Sequence, residues 1–306
     1  MSDHGHSHAA AGQNSRRRLS IAFTITAAVL IAEVIGAVVT GSLALLVDAA
    51  HMLTDAGGLL VALFASSLMT RPATTRRTWG YQRAEILAAT AQAAVLLGVG
   101  LFVVIEGIQR LIAPPEIAST QLLVFGIIGL LGNIASILVL ASDRATNFNM
   151  RAAFLEVVND ALGSVGVIVA AIVIALTGYT RADAIAALLI GALILPRAVK
   201  LLRETVDVLL ESTPVGLDLD SVREHMLRLP HVLAVHDLHA SRIASNLPVL
   251  TAHVVIDDEC FKDGHSTEIL DLLQDCVATH FDVSVEHSTF QLESAAHSAH
   301  EAAAHP

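Results

Sequence analysis

The sequence predicts an all-α membrane bundle of six transmembrane helices followed by a small cytosolic α/β domain, an open-faced sandwich of αββαβ order. Three observations carry this. Hydrophobic residues make up 54% of the 306, only 15% are charged, and mean hydropathy is +0.64, whereas soluble domains hold about 25% charged residues. Six apolar segments reach the roughly 20 residues needed to cross the hydrocarbon core. From Thr213 the texture changes: residues 1–212 hold fourteen Lys/Arg and fourteen Asp/Glu, residues 213–306 four and fifteen, so the formal charge of −11 belongs to the last third. That sign excludes nucleic acid as a partner, which needs a basic patch.

The spans are expected at Leu19–Thr40, Ser42–Met69, Glu85–Leu111, Ile117–Ala141, Arg151–Thr177 and Ala182–Leu202. Arg16, Arg17 and Arg18 before the first resemble a signal peptide, but the apolar stretch exceeds an h-region and further spans follow, so a retained helix is expected. Gly41 alone separates the first two segments and forces a tight helical hairpin. Arg71, Arg76, Arg77 and Arg83 fill the second loop, Arg144 and Arg151 the fourth, and Arg197, Lys200 and Arg203 cluster at the end of the last span. With the first three arginines, twelve basic residues fall on one face and only Arg110 and Arg181 on the other. The positive-inside rule then puts both termini in the cytoplasm of a multi-pass protein, expected in the cell membrane.

In the polar third, Asp218–Leu229 reads as a helix capped by Asp218 or Asp220 and stopped by Pro230. Val232–Ile243, Val249–Ile256 and Val283–Leu292 read as strands, and Ser266–Thr279 as a second helix. The expected domains are a tail over 1–15, the membrane bundle over 16–212, the αββαβ domain over 213–293 and a second tail over 294–306. Both tails are Ala/Ser/His-rich and expected to be disordered. His4, His6, His8, His297, His300 and His305 there are either weak metal collectors or low-complexity sequence. Cys260 and Cys276 are the only cysteines; two thiols make no disulfide framework.

Two pairs of ionisable residues lie inside spans. His51 and Asp55 are four apart in the second, and Glu156 and Asp160 repeat the spacing in the fifth. Positions i and i+4 share a helix face, so each span offers two donors to one point. At 1.5 Å per residue the pairs fall roughly 14–20 Å and 10–15 Å into their helices, near the midplane, where transporters keep their substrates. Small residues flank both pairs, including Gly57, Gly58, Gly163 and Gly166, and let helices approach closely. Ionisable groups at this depth are expensive and mark ion or proton paths. One imidazole and three carboxylates make a four-ligand cage for a divalent cation. Asp48 lies on the same face one turn outward, with a relay or a packing role; Glu33, Gln92, Glu106, Asn133 and Asn159 are read as packing groups.

Several strings resemble the cation diffusion facilitator family of metal/proton antiporters. They are Asp48-Ala-Ala-His51-Met-Leu-Thr-Asp55, Trp79-Gly-Tyr81-Gln-Arg83-Ala-Glu85, Arg151-Ala-Ala-Phe-Leu-Glu156-Val-Val-Asn-Asp160, and Val235-His236-Asp237-Leu-His239 with Thr251-Ala-His253 and His287-Ser-Thr-Phe-Gln-Leu-Glu293. The resemblance runs from about Leu19 to Glu293. Glu156, where zinc-preferring members commonly carry His, Leu195-Pro196-Arg197 and Val208-Leu-Leu-Glu211 fit the cobalt–zinc–cadmium resistance branch. Oxygen in place of nitrogen makes the cage harder and weakens preference for zinc over cobalt or manganese. Gln92 and Ser241 depart from the family's usual Asn and Trp.

The resemblance implies export of zinc, and of cobalt and cadmium, from the cytoplasm against inward protons. It also implies a homodimer whose cytosolic domains bind metal through His236, His253 and His287, with His265 as an extra. His236 and His239 are three apart and would point to opposite faces of a regular strand, which leaves His239 out. The cage itself supports proton coupling. Three buried carboxylates and a neutral His cannot stay bare when empty, so metal entry displaces protons and exit readmits them, with His51 the switch near neutral pH. No enzyme is expected: His51-Met-Leu-Thr-Asp55 is not the HExxH of metalloproteases, and four protein ligands leave no place for a catalytic water. The alternative is a membrane-anchored metal sensor without transport.

Overall fold

The computed structural model describes residues 6–141 and 148–299, with side chains for all of these except 6–19, 59 and 148–153. Six long helices come first: α1 (His6–Thr40), α2 (Leu43–Met69), α3 (Ala84–Ile112), α4 (Ser119–Ala141), α5 (Phe148–Thr177) and α6 (Arg181–Leu209). Each contains a stretch long and apolar enough to cross a membrane, and the sequence spans match them closely. α1 starts at His6, so over residues 6–15 a helix replaces the expected tail. Ala9, Ala10 and Ala11 are strong helix formers and extend the first span backwards. His4, His300 and His305 lie outside the described residues.

The chain divides into two compact units, residues 1–59 with 92–200, and 60–91 with 201–306. In the first, α4 packs against both α1 and α5. Leu43, Leu45, Leu122, Val167, Ala171 and Ala187 lie in its largest buried apolar cluster. Ile31, Val38, Leu138, Leu176 and Leu193 point outward, the faces that lipid covers.

The hairpin at Gly41 is held by a buried acid that the sequence reading passed over. Gly41 has φ +69°, a left-handed turn that glycine makes without a Cβ penalty. Asp183 of α6, fully buried, accepts from the Ser42 hydroxyl, from the Leu43 N–H at 2.6 Å and from the Ala44 N–H at 3.4 Å. It thus caps the start of α2 from another helix. Arg110 donates to the Gly41 carbonyl at 2.6 Å and Arg181 to the Leu111 carbonyl at 2.7 Å. The two arginines of the basic-poor side therefore close helix C-termini, where cations complement the dipole. We expect Asp183→Ala to strand three donors and cost about 1–3 kcal/mol, read as a lower midpoint of thermal unfolding in detergent.

The second unit contains the C-terminal domain: α7 (Leu219–Leu227), β1 (Val232–Ala244), β2 (Leu247–Ile256), α8 (Cys260–Asp263), α9 (His265–Thr279), β3 (His287–Glu293) and α10 (Ala295–Ser298). The αββαβ order stands, with α8 and α10 as single-turn additions. Asp218 caps α7, one of the two expected caps. β1 pairs antiparallel with β2, and β2 parallel with β3. Leu250, Ala252, Val254 and Ile256 alternate inward along β2 and pack with Val222 and Met226 of α7 and Ile269, Leu273 and Val277 of α9. Helices cover one face of the sheet; the other carries the histidines.

Candidate metal centres

In the membrane unit the four predicted residues come together. His51 Nε2 stands 3.3 Å from Asp55 Oδ2, one turn apart on α2. From α5, the Glu156 carboxyl interacts directly with that of Asp55 and lies in the field of His51. Asp160, one turn further along α5, interacts with Glu156 and Asp55. His51 Nδ1 and Asp160 Oδ1 are buried without a hydrogen-bond partner, so lone pairs are free on two of the four residues. Asp160 is buried and His51 nearly so, whereas Asp55 is half-buried and Glu156 exposed. The accessible side of the group therefore faces the C-terminal end of α2 and the N-terminal end of α5.

Arg197 of α6, next to Pro196, acts electrostatically on all four residues and lines a crevice of about 810 Å³ with Asp48 and His51. The sequence reading counted Arg197 only as a positive-inside residue. Its place one turn inside the end of the expected sixth span was the available signal.

Acidic groups continue deeper from this cluster. Asp48 and Glu33 interact with each other, and both feel Asp160. Around them lie Asn133, which donates to the Ser164 hydroxyl at 3.2 Å, and Ser136. Both oxygens of Glu33, Oδ2 of Asp48, Oδ1 of Asn133 and the Ser136 hydroxyl are buried without hydrogen-bond partners. Glycines make this approach possible. A Cβ at Gly163 would sit 2.6 Å from Asp48 Oδ1, and one at Gly129 would sit 2.8 Å from Glu33 Oε1. Glu33 and Asn133 are thus part of a polar interior joined to the membrane group rather than isolated packing residues, and Asp48 belongs to it.

On the open face of the C-terminal sheet, His236 and His253 are cross-strand partners with ring centroids 5.2 Å apart. Glu293, 3% exposed, joins them, with Oε1 2.8 Å from His253 Nδ1 and Oε2 3.3 Å from His236 Nε2. Their ligating atoms all lie within 4.8 Å of one another. His287, expected as a third ligand, is not in this group: it begins β3 opposite Val249, away from His253, and its ring meets Trp79 edge-on at 4.8 Å. Gln291 pairs with His253, and strand alternation puts Glu293 on the same face two residues later. His265 does not join the group either; it lies beside His231, ring centroids 6.2 Å apart.

His239 also corrects the sequence expectation. His236 pairs with His253 and His239 with Thr251, so a bulge adds one residue to β1. Asp237 takes it up at φ +50°, and the extra residue brings both histidines to one face. Asp237 stands 3.0 Å from His239 Nε2 and 4.0 Å from His253 Nε2.

Comparison with known proteins decides the family. Residues 19–210 match the cation efflux transmembrane domain and residues 214–295 the cation efflux protein cytoplasmic domain. The chain belongs to the cation efflux, or cation diffusion facilitator, family. It is 44% identical to the metal cation efflux system protein CzcD of Cupriavidus metallidurans, over 94% of this chain and 90% of that protein. It is 39% identical to the zinc transporter ZitB of Escherichia coli, over 95% and 92%. It is 37% identical to a cadmium, cobalt and zinc/H(+)-K(+) antiporter of Bacillus velezensis, over 96% and 93%. A solved structure, the metal-bound C-terminal domain of CzcD from Cupriavidus metallidurans, aligns at 35% identity over 25% of this chain and 99% of that one, with a TM-score of 0.23. For this cation efflux protein the membrane bundle and the small C-terminal domain are thus the two halves of the family's architecture.

Proposed function

We propose that this chain exports zinc, cobalt and cadmium from the cytoplasm in exchange for protons. The ion is held at the membrane midplane by His51, Asp55, Glu156 and Asp160. One observation carries this reading: the two i,i+4 pairs, on α2 and α5, converge into one group. The names of the three relatives, which cover zinc, cobalt, cadmium and proton exchange, support it.

The coupling follows from charge. Three carboxylates carry −3 against +2 on the ion, and Arg197 adds one fixed positive charge nearby. Without metal, carboxyl groups as close as Asp55 and Glu156 share protons; a divalent ion replaces those protons as counter-charge. The group titrates as a unit, and no single residue owns the proton. The accessible side lies toward the C-terminal end of α2 and the N-terminal end of α5, the ends that the positive-inside rule assigns to the cytoplasm, which fits a site open to the cytoplasm in a cell membrane, with both termini inside. Asp48 and Glu33 extend the run of acids toward the opposite ends of α2 and α5. Alternating exposure of the group then turns competition between metal and protons into exchange. A set of four protein ligands leaves no water to activate, so transport rather than hydrolysis suits it.

Zinc uptake into proteoliposomes tests this. An imposed pH gradient, acidic on the accumulating side, drives zinc into the lumen against its own gradient. Zinc binding without uptake would make the chain a membrane-anchored sensor, and uptake indifferent to the pH gradient would make it a channel.

The C-terminal domain is proposed as the family's cytoplasmic metal-binding and dimerisation module, with His236, His253 and Glu293 as ligands. The charge of −11 over residues 213–306 repels its copy across a dimer, and bound cations relieve the repulsion. Glu293→Gln removes the carboxylate shared by the two rings. We expect zinc affinity of this site to fall by more than about tenfold, measured by competition with a chromophoric chelator.

A further inference from the structure

A second group of metal-ligating side chains lies at the open end of the β1–β2 hairpin, where β1 begins and β2 ends, beyond the open-face histidines. The last pair of the ladder, Val232 with Ile256, fixes it. His231 directly precedes β1 and Asp257 directly follows β2, so pairing sets them side by side, and the Asp257 N–H donates to the His231 carbonyl at 3.1 Å. Their side chains meet as well, His231 Nδ1 standing 2.9 Å from Asp257 Oδ2. The chain then turns, with the Cys260 N–H bonded to the Asp257 carbonyl at 3.0 Å. That turn returns the Cys260 thiol to the same point at the start of α8. The His231 nitrogen, the Asp257 oxygen and the Cys260 sulfur all lie within 4.8 Å of one another.

We propose that His231, Asp257 and Cys260 form a separate metal site for a borderline-soft divalent ion, zinc or cadmium. Imidazole nitrogen, carboxylate oxygen and thiolate sulfur form the donor set that such ions take in tetrahedral geometry. The carboxylate and thiolate together balance the charge of the ion, and the fourth position is open to water. Cys260 is 2% exposed while His231 and Asp257 are half-exposed. The sulfur thus forms the floor and the other two the mouth, as an ion entering from solvent requires. His231 holds φ +66°, a left-handed conformation that is strained for a non-glycine residue and that glycine would take freely. His265, bonded to Asp263 at 2.8 Å, stacks beside His231 and lines the rim. The site stands some five residues along β1 from His236, roughly 16 Å at 3.3 Å per residue, so one ion cannot serve both groups.

Cobalt is the probe, because a cobalt–thiolate bond gives a near-ultraviolet charge-transfer band that nitrogen and oxygen donors do not. The purified full chain in detergent is titrated with cobalt. The wild type is expected to develop the band. Cys260→Ser should abolish it and remove one bound equivalent, while Cys276→Ser, at the other cysteine, should leave it intact. His231→Ala, at a half-exposed position, should weaken the band's cobalt dependence by more than about tenfold. Absence of the band in the wild type, its persistence in Cys260→Ser, or an unchanged midpoint in His231→Ala overturns the proposal. None of these readings depends on flux through the membrane site.

Discussion

Replacing Asp55 with alanine is expected to abolish zinc uptake into proteoliposomes while leaving the protein folded. Asp55 is half-buried on α2, and it touches both His51, at 3.3 Å, and Glu156 of the facing helix. Its loss removes a ligand and breaks the link between the two pairs. Breaking a buried charged contact costs about 3–5 kcal/mol, and each 1.4 kcal/mol is a factor of ten. Transport should therefore fall by about a hundredfold to a few thousandfold. Retention of more than a tenth of the wild-type rate would remove Asp55 from the ion's path. Thermal unfolding of the same sample controls for folding, since among the described residues no backbone hydrogen bond depends on this side chain.

The second large effect is on selectivity. Glu156 is the most accessible of the four residues, so a histidine fits there without repacking the bundle. Glu156→His replaces an oxygen donor by nitrogen and takes one negative charge from the group. The cage becomes softer, closer in character to a two-histidine zinc site, and retains two carboxylates for the +2 ion. We expect the ratio of zinc to manganese uptake to rise by roughly tenfold, about 1.4 kcal/mol of discrimination, with cobalt in between. Unchanged ratios across zinc, cobalt, cadmium and manganese would place Glu156 outside the ion's ligands.

How far the sequence carried depended on whether the physics was local. Spans are legible because length and hydropathy alone decide them, and α2 ends at Met69 as read. The i,i+4 pairs were legible because helix periodicity fixes which residues share a face. What escaped needed contacts between distant segments. Asp183 caps a helix about 140 positions away, and only the folded hairpin brings Ser42 to it. Glu293 replaces His287 beside His253 because parallel β2–β3 register, set in three dimensions, puts Gln291 opposite His253. His239 was misplaced because alternation assumes a regular strand, and Asp237 breaks the regularity. Likewise, the stretch read as a tail over 6–15 is helical, since Ala9, Ala10 and Ala11 favour continuation of the first span.

The central claim is that α2 and α5 meet around one ion, and a thiol placed in the cage tests it most directly. In a chain carrying Cys260→Ser and Cys276→Ser, with His236, His253 and Glu293 also replaced by alanine, Glu156→Cys puts the only thiol at the membrane group. Titration with cadmium should then produce a cadmium–thiolate absorption band at one equivalent, and further replacement of His51 or Asp55 by alanine should weaken it. A Glu156→Cys chain that binds cadmium with no thiolate band, or a band indifferent to His51 and Asp55, would contradict a shared site.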